Sequence, residues 1–281
     1  MTNGTCLCGA VQYEVAGPFQ MMMHCHCSMC RKHHGTAFAT FAVAPLEGFR
    51  WLRGEDAIVR YASSPGGSRS FCRHCGSVTP LLIPSAGIVA CPAGNLQGDL
   101  GIAPQAHLFA ASKAAWDSIT DLLPQHDEYP PEFGAQGIVT PTRETRPGST
   151  QGSCLCGDVA FEITGTPIRM VHCHCNRCRL GRSAEFATNV IYKDSQFAWT
   201  KGASHVREYK VPEAQYFTMA FCERCGSEVP RPSRERGIVV VPAGSLDSDP
   251  GVRPEMHIFV GSMAPWSRIT DKLPQFAAGL P

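Results

Sequence analysis

Charged residues are scarce. They make up 17% of the 281 residues, and Lys plus Arg outnumber Asp plus Glu by one. So even a balance predicts no nucleic-acid partner, since phosphate recognition needs clustered basic side chains. No run of about 18 apolar residues occurs, so no membrane-spanning helix is expected. Met1-Thr2-Asn3-Gly4 leads straight into a cysteine motif, without the basic and apolar stretches of a secretory signal, and a cytoplasmic protein is the expectation. No segment keeps a 3.6-residue apolar rhythm through three turns, which argues against a helical bundle. What is present is 43% hydrophobic residues, enough for a real core in one large or two ordinary domains.

Cysteine is the exception to this plainness. Fifteen cysteines amount to about 5% of the chain, below the roughly 8–10% of a disulfide scaffold. In a reducing compartment such a set reads as metal ligands. A bridge between Cys6 and Cys8 is also awkward, because i,i+2 in a strand separates Cα atoms by about 6.6 Å.

Self-comparison sets the organisation. Thr5-Cys6-Leu7-Cys8-Gly9 returns as Ser153-Cys154-Leu155-Cys156-Gly157, and His24-Cys25-His26-Cys27-Ser28-Met29-Cys30-Arg31 as His172-Cys173-His174-Cys175-Asn176-Arg177-Cys178-Arg179. Phe71-Cys72-Arg73-His74-Cys75-Gly76 returns as Phe221-Cys222-Glu223-Arg224-Cys225-Gly226. His107 matches His257, and Trp116 to Gln125 tracks Trp266 to Gln275. The chain is a duplicated domain: residues 1–133, a Pro- and Gly-rich linker over 134–150, and residues 151–281. Two such copies invite an intrachain pseudo-dimer.

Within each copy the pattern is of short strands. Val11–Val15, Phe38–Val43, Ala57–Tyr61, Ile88–Cys91, His107–Phe109 and Val159–Ile163 alternate or cluster as half-buried strands do. Helix is expected only as short turns after Cys30 and near Trp116. The class is mostly β, in small antiparallel sheets tied by metal.

The hexapeptide Cys25 to Cys30 is a local claw. In extended chain Cys25 and Cys27 point one way and His24 and His26 the other, and a turn after Cys27 returns Cys30 to the same side. That gives three ligands and no fourth, the count of a catalytic zinc with an open position rather than a closed structural one. Cys173, Cys175 and Cys178 repeat it. The seven thiols of each copy divide as four plus three: Cys6, Cys8, Cys72 and Cys75, leaving the claw. A rival division groups Cys27 and Cys30 with Cys72 and Cys75, and spacing alone leaves both open. The spacings match no usual iron–sulfur pattern.

These motifs, with His107-Leu108-Phe109, resemble the glutathione-dependent formaldehyde-activating enzyme family, which also includes centromere protein V. The likeness covers both copies. It implies tandem Mss4-like (β-tent) domains, with one zinc on Cys6, Cys8, Cys72 and Cys75 and another on Cys25, Cys27 and Cys30. The second copy would use Cys154, Cys156, Cys222 and Cys225, then Cys173, Cys175 and Cys178, for up to four Zn2+ per chain. The implied activity is carbon–sulfur lyase, acting on a small-molecule thiol adduct such as S-hydroxymethylglutathione, with the claw cysteines catalytic. A non-catalytic zinc interaction module and a thiol redox sensor are the alternative readings.

Other residues carry weaker signals. His24, His26, His172 and His174 would support the claw from behind. His107 and His257 read as buried histidines or catalytic bases. Trp116 and Trp266 read as core or pocket wall, and Cys91 as a small buried hydrophobe. Arg31 and Arg179 either offset the negative claw or cap its turn. Glu185, aligned with Ala37, places an acid near the second claw.

Overall fold

The computed structural model describes residues 1–65, 67–130 and 145–279. Phe133 and most of the linker expected over 134–150 lie outside the described residues; Thr150 is already paired in a strand.

Each half begins with a three-stranded antiparallel sheet. In the first half it comprises Thr2–Thr5, Gln12–Val15 and Phe49–Arg53; in the second, Thr150–Ser153, Ala160–Ile163 and Phe197–Lys201. Gln12–Val15 alternates half-buried and buried side chains, so Tyr13 and Val15 enter the core as the period-two pattern requires. A hairpin of Ile58–Ser64 and Gly67–Cys72, repeated by Val206–Lys210 and Thr218–Cys222, delivers the last cysteine pair.

The third sheet of each half has six strands. In the first half the order is Gln125–His126, Ala106–Leu108, Met21–Cys25, Ala39–Pro45, Ile88–Pro92 and Leu81–Ile83. Its antiparallel ladders are joined by two parallel pairs that use Ala106–Leu108. The parallel register sets His107 beside His24 and Leu108 beside Cys25. Imidazoles therefore collect on one face, and the claw thiols with Leu108 on the other. The second half repeats this, pairing His172 with His257 and Cys173 with Ile258.

Among the described residues two α-helices complete the fold: α1, Ser28–His34, and α2, Asn176–Arg182. Cys27 caps α1, its Sγ accepting the Cys30 N–H at 3.4 Å, and Cys175 does the same for Cys178. The turn expected after Cys30 thus starts earlier, at Ser28, because the cap is itself a claw ligand. Gly35 closes α1 in the left-handed region (φ 65°).

The halves interlock. Trp116 of the first half packs with Phe161, Met170 and Tyr192 of the second, and Trp266 packs with Tyr13, Met22 and Val89 of the first. Cys91 is fully buried in the apolar cluster that also holds Trp266. The Lys32 Nζ is buried and meets Asp247 Oδ1 at 2.7 Å and the Ser153 carbonyl at 2.8 Å, both in the other half. At Gly94 and Gly244 backbone meets backbone. A Cβ on Gly244 would sit 2.2 Å from the Arg31 carbonyl and 2.5 Å from the Thr36 amide. Gly244→Ala must therefore push the halves apart. We expect a loss of about 3 kcal/mol, the upper end for overpacking, read as a fall of several degrees in the thermal midpoint; an unchanged midpoint would show the interface to be soft.

Candidate metal centres and the cavity behind them

The tertiary structure gathers fourteen of the fifteen thiols into four clusters. Cys6 and Cys8 come from the turn between the first two strands, and Cys72 and Cys75 from the end of the hairpin. Their sulfurs lie within 4.8 Å of one another, as do those of Cys154, Cys156, Cys222 and Cys225. Cys25, Cys27 and Cys30 form a third cluster, and Cys173, Cys175 and Cys178 a fourth. The rival grouping of Cys27 and Cys30 with Cys72 and Cys75 is not formed, because the hairpin ends at the Cys6 turn, where Leu7 N–H donates to Ser77 Oγ at 3.0 Å.

The sulfur spacing tests whether a metal fits. Cys6 and Cys8 are 3.4 Å apart, Cys8 and Cys72 3.7 Å, Cys156 and Cys222 3.8 Å, and Cys25 and Cys27 3.6 Å. A tetrahedral zinc with Zn–S of about 2.3 Å requires sulfurs about 3.8 Å apart. The donor sets fit such an ion, and all the thiols are unbridged. Among the described residues no His, Cys or carboxylate joins either claw as a fourth ligand.

Each claw already favours one thiolate. Hydrogen bonds from Cys25 and Cys27 hold the Cys30 thiol well below the ordinary range, while Cys25 is pushed well above it, first by Cys27. In the second claw hydrogen bonds from Cys173 and Cys178 lower Cys175 to about 3, and Cys173 is raised to about 12, first by its hydrogen bond to Cys175. One anion is stabilised and the next repelled, so a divalent cation is what would release the remaining protons.

Arginines near the claws divide differently from the sequence reading. Arg31 Nε donates to the His26 carbonyl at 3.2 Å, and Arg179 Nη2 to Asn176 Oδ1 at 3.0 Å, so both tie down the turn. The guanidinium on the first claw is Arg69, whose Nη2 lies 3.5 Å from Cys30 Sγ. Arg231 takes that part near Cys178. Neither was legible: Arg69 is 39 residues from Cys30, and its counterpart in the repeat is Met219. Phe109 and Phe259, packed on the claws, sit at φ 58° and 59°. A left-handed backbone at a bulky residue costs about 1–3 kcal/mol. Both halves keep it.

Behind the claws, between the halves, is a cavity of about 390 Å3 lined by His24, His107, His172, His174 and His257. Two hydrogen-bonded chains run along its walls. His107 Nε2 donates to the Asp121 carboxylate at 3.1 Å, so its Nδ1 accepts from His26 Nε2 at 2.8 Å. His257, Asp271 and His174 repeat the arrangement at 2.9 and 2.8 Å. The partners of His107 and His257 are thus side chains. Asp121 and Asp271 were readable in principle, since both fall in the Trp116–Gln125 repeat. Glu185 is placed here too and not at the second claw. It is buried, accepts from Ser267, and faces His24 of the other half at 3.9 Å. Burial raises its carboxyl to about 7. Trp266 is both cavity wall and core.

Two similar, mostly β halves, each joining a four-thiol to a three-thiol cluster, define a tandem Mss4-like protein with cysteine sites able to hold metal. A family model described as glutathione-dependent formaldehyde-activating enzyme matches residues 1–112 and 149–262, and the chain belongs to that family. A Rhodobacter sphaeroides protein solved by Northeast Structural Genomics is similar at 32% identity, covering 34% of this chain and 89% of that one, with a TM-score of 0.30. No curated protein matches.

Proposed function

We propose that the protein is a zinc-dependent carbon–sulfur lyase that makes or breaks the adduct of a glutathione-type thiol with an aldehyde such as formaldehyde. The observation that carries this reading is the claw: three converged sulfurs with no fourth protein ligand among the described residues. Family membership supports the thiol substrate. An ion held by these three sulfurs would supply a site that favours an incoming thiol as thiolate, and its net charge of about −1 would make it a weak activator of water.

The chain supplies the rest. Cys25, Cys27 and Cys30, or Cys173, Cys175 and Cys178, would hold the ion, and Arg69 and Arg231 would spread the negative charge of the sulfurs. Burial of the first claw beneath Leu108 and Phe109 keeps water away. In the forward direction the thiol S–H breaks, a C–S bond forms to the carbonyl carbon, and the proton passes to the carbonyl oxygen, with no net redox change. The four-thiol sites stand apart as structural staples.

Metal analysis is expected to give about four zinc per chain. With Cys27→Ser and Cys175→Ser combined, content should fall to about two, turnover should vanish, and the far-ultraviolet circular dichroism should stay native. Activity surviving in that double variant would overturn the proposal.

A further inference from the structure

The two claws are not equivalent. Met29, buried in the first, is replaced by exposed Arg177 in the second, while Arg69 on the neighbouring hairpin is replaced by Met219. Cys27 is 1% exposed, whereas Cys175 is half-buried. The sharpest difference lies at the end of each half. Tyr129 stacks edge-on to Phe109, with ring centroids 4.8 Å apart, within the apolar cluster that surrounds Cys25, Cys27 and Cys30. The corresponding residue in the second half is Gly279, and a Cβ there would touch the Phe259 ring at 3.3 Å. In the second half Phe259 N–H donates to the Ala278 carbonyl at 2.7 Å and Gly279 passes its ring as bare backbone, where the first half lays the Tyr129 ring on Phe109.

What surrounds the second claw also differs in kind. Phe217 packs on the Cys173, Cys175 and Cys178 cluster, in the place of Gly67. The guanidinium carbons of Arg177 and Arg231 lie 5.8 and 5.7 Å from its ring centroid. Arg231 gives one nitrogen to the Thr218 carbonyl, and no carboxylate among the described residues forms an ion pair with Arg177. Two guanidiniums beside one ring, next to a half-buried sulfur, suit a thiol that carries carboxylates.

Resting on the reading of the claws as thiol sites, we propose that they divide the work: the second, collared by Arg177, Arg231 and Phe217, binds a large carboxylate-bearing thiol, and Tyr129 closes the first to it. The first claw then keeps its three ligands without serving the large substrate. The duplication has kept all the ligands and changed access and the charge around them.

Calorimetry of the zinc-loaded full chain with glutathione tests this. Wild type should bind one glutathione per chain, Cys175→Ser none, and Cys27→Ser still one. Tyr129→Gly should open a second and weaker glutathione site, since the first claw lacks the Arg177 and Arg231 collar, and the reciprocal Gly279→Tyr should bind none, with thermal melts confirming that each variant is folded. Arg177→Met should weaken glutathione at least tenfold and leave 2-mercaptoethanol unchanged. Two glutathiones per wild-type chain, or binding that survives Cys175→Ser but not Cys27→Ser, would overturn the division of work and leave the claws as thiol sites. Glutathione binding to neither claw would overturn both.

Discussion

Replacing Cys72 by serine is expected to unfold both halves of the molecule, not one. Cys72 belongs to a four-sulfur cluster whose spacing fits tetrahedral zinc, and its neighbours Cys6 and Cys75 are buried with it. A structural zinc contributes on the order of 10 kcal/mol to folding, comparable to the whole 5–15 kcal/mol of a typical domain. Losing one ligand therefore removes most of what holds the first half together. The second half cannot stand aside. Trp116 fills its core, Phe71 meets Phe221 with centroids 6.1 Å apart, and Tyr61 packs against the cluster that contains Cys154, Cys222 and Cys225. Withdrawing these contacts opens a cavity where a tryptophan stood, at about 3–5 kcal/mol. Thermal melts followed by circular dichroism, together with metal content, check this. The expected result is loss of the native signal from the whole chain; a surviving half with two zinc ions would show that the interlock is weak.

Acid is expected to destabilise the protein steeply below about pH 6. His33 is buried, and that burial lowers its pKa to about 3. Its neighbour His34 is lowered to about 4, again chiefly by burial. In the unfolded chain both titrate near 6.5. Below that pH the unfolded chain gains protons that the folded one refuses, so their contribution is complete above about 6.5 and is lost as pH falls toward 3–4. The loss is about 3–5 kcal/mol for each. Glu185 has the opposite sign: with its carboxyl raised to about 7, stability falls as pH rises from about 4.5 toward 7. Urea unfolding at pH 7 and pH 5 on wild type and His33→Leu separates these terms. The variant should match or exceed wild type at pH 7 and lose clearly less on acidification. Equal pH dependence in the two proteins would rule out His33 as the acid-sensitive group.

The duplication, the mostly β class and the three cysteine clusters of each copy can be read along the chain without coordinates. These are local or periodic signals: Cys25 to Cys30 is a claw because period-two geometry and one capped turn bring three sulfurs together within six residues. Cys91 was also readable as an ordinary buried residue, since its counterpart is Val241. Tertiary structure alone decided which cysteine pairs meet, because Cys6 and Cys72 are joined by hairpin packing and not by spacing. It alone put Arg69 on Cys30, Trp116 in the opposite core and Glu185 in the cavity between the halves, since such contacts depend on how sheets dock and leave no periodic trace along the chain. It also decided that the claws differ, because Tyr129 and Gly279 acquire meaning only once the chain has brought them to Phe109 and Phe259, which correspond in the repeat.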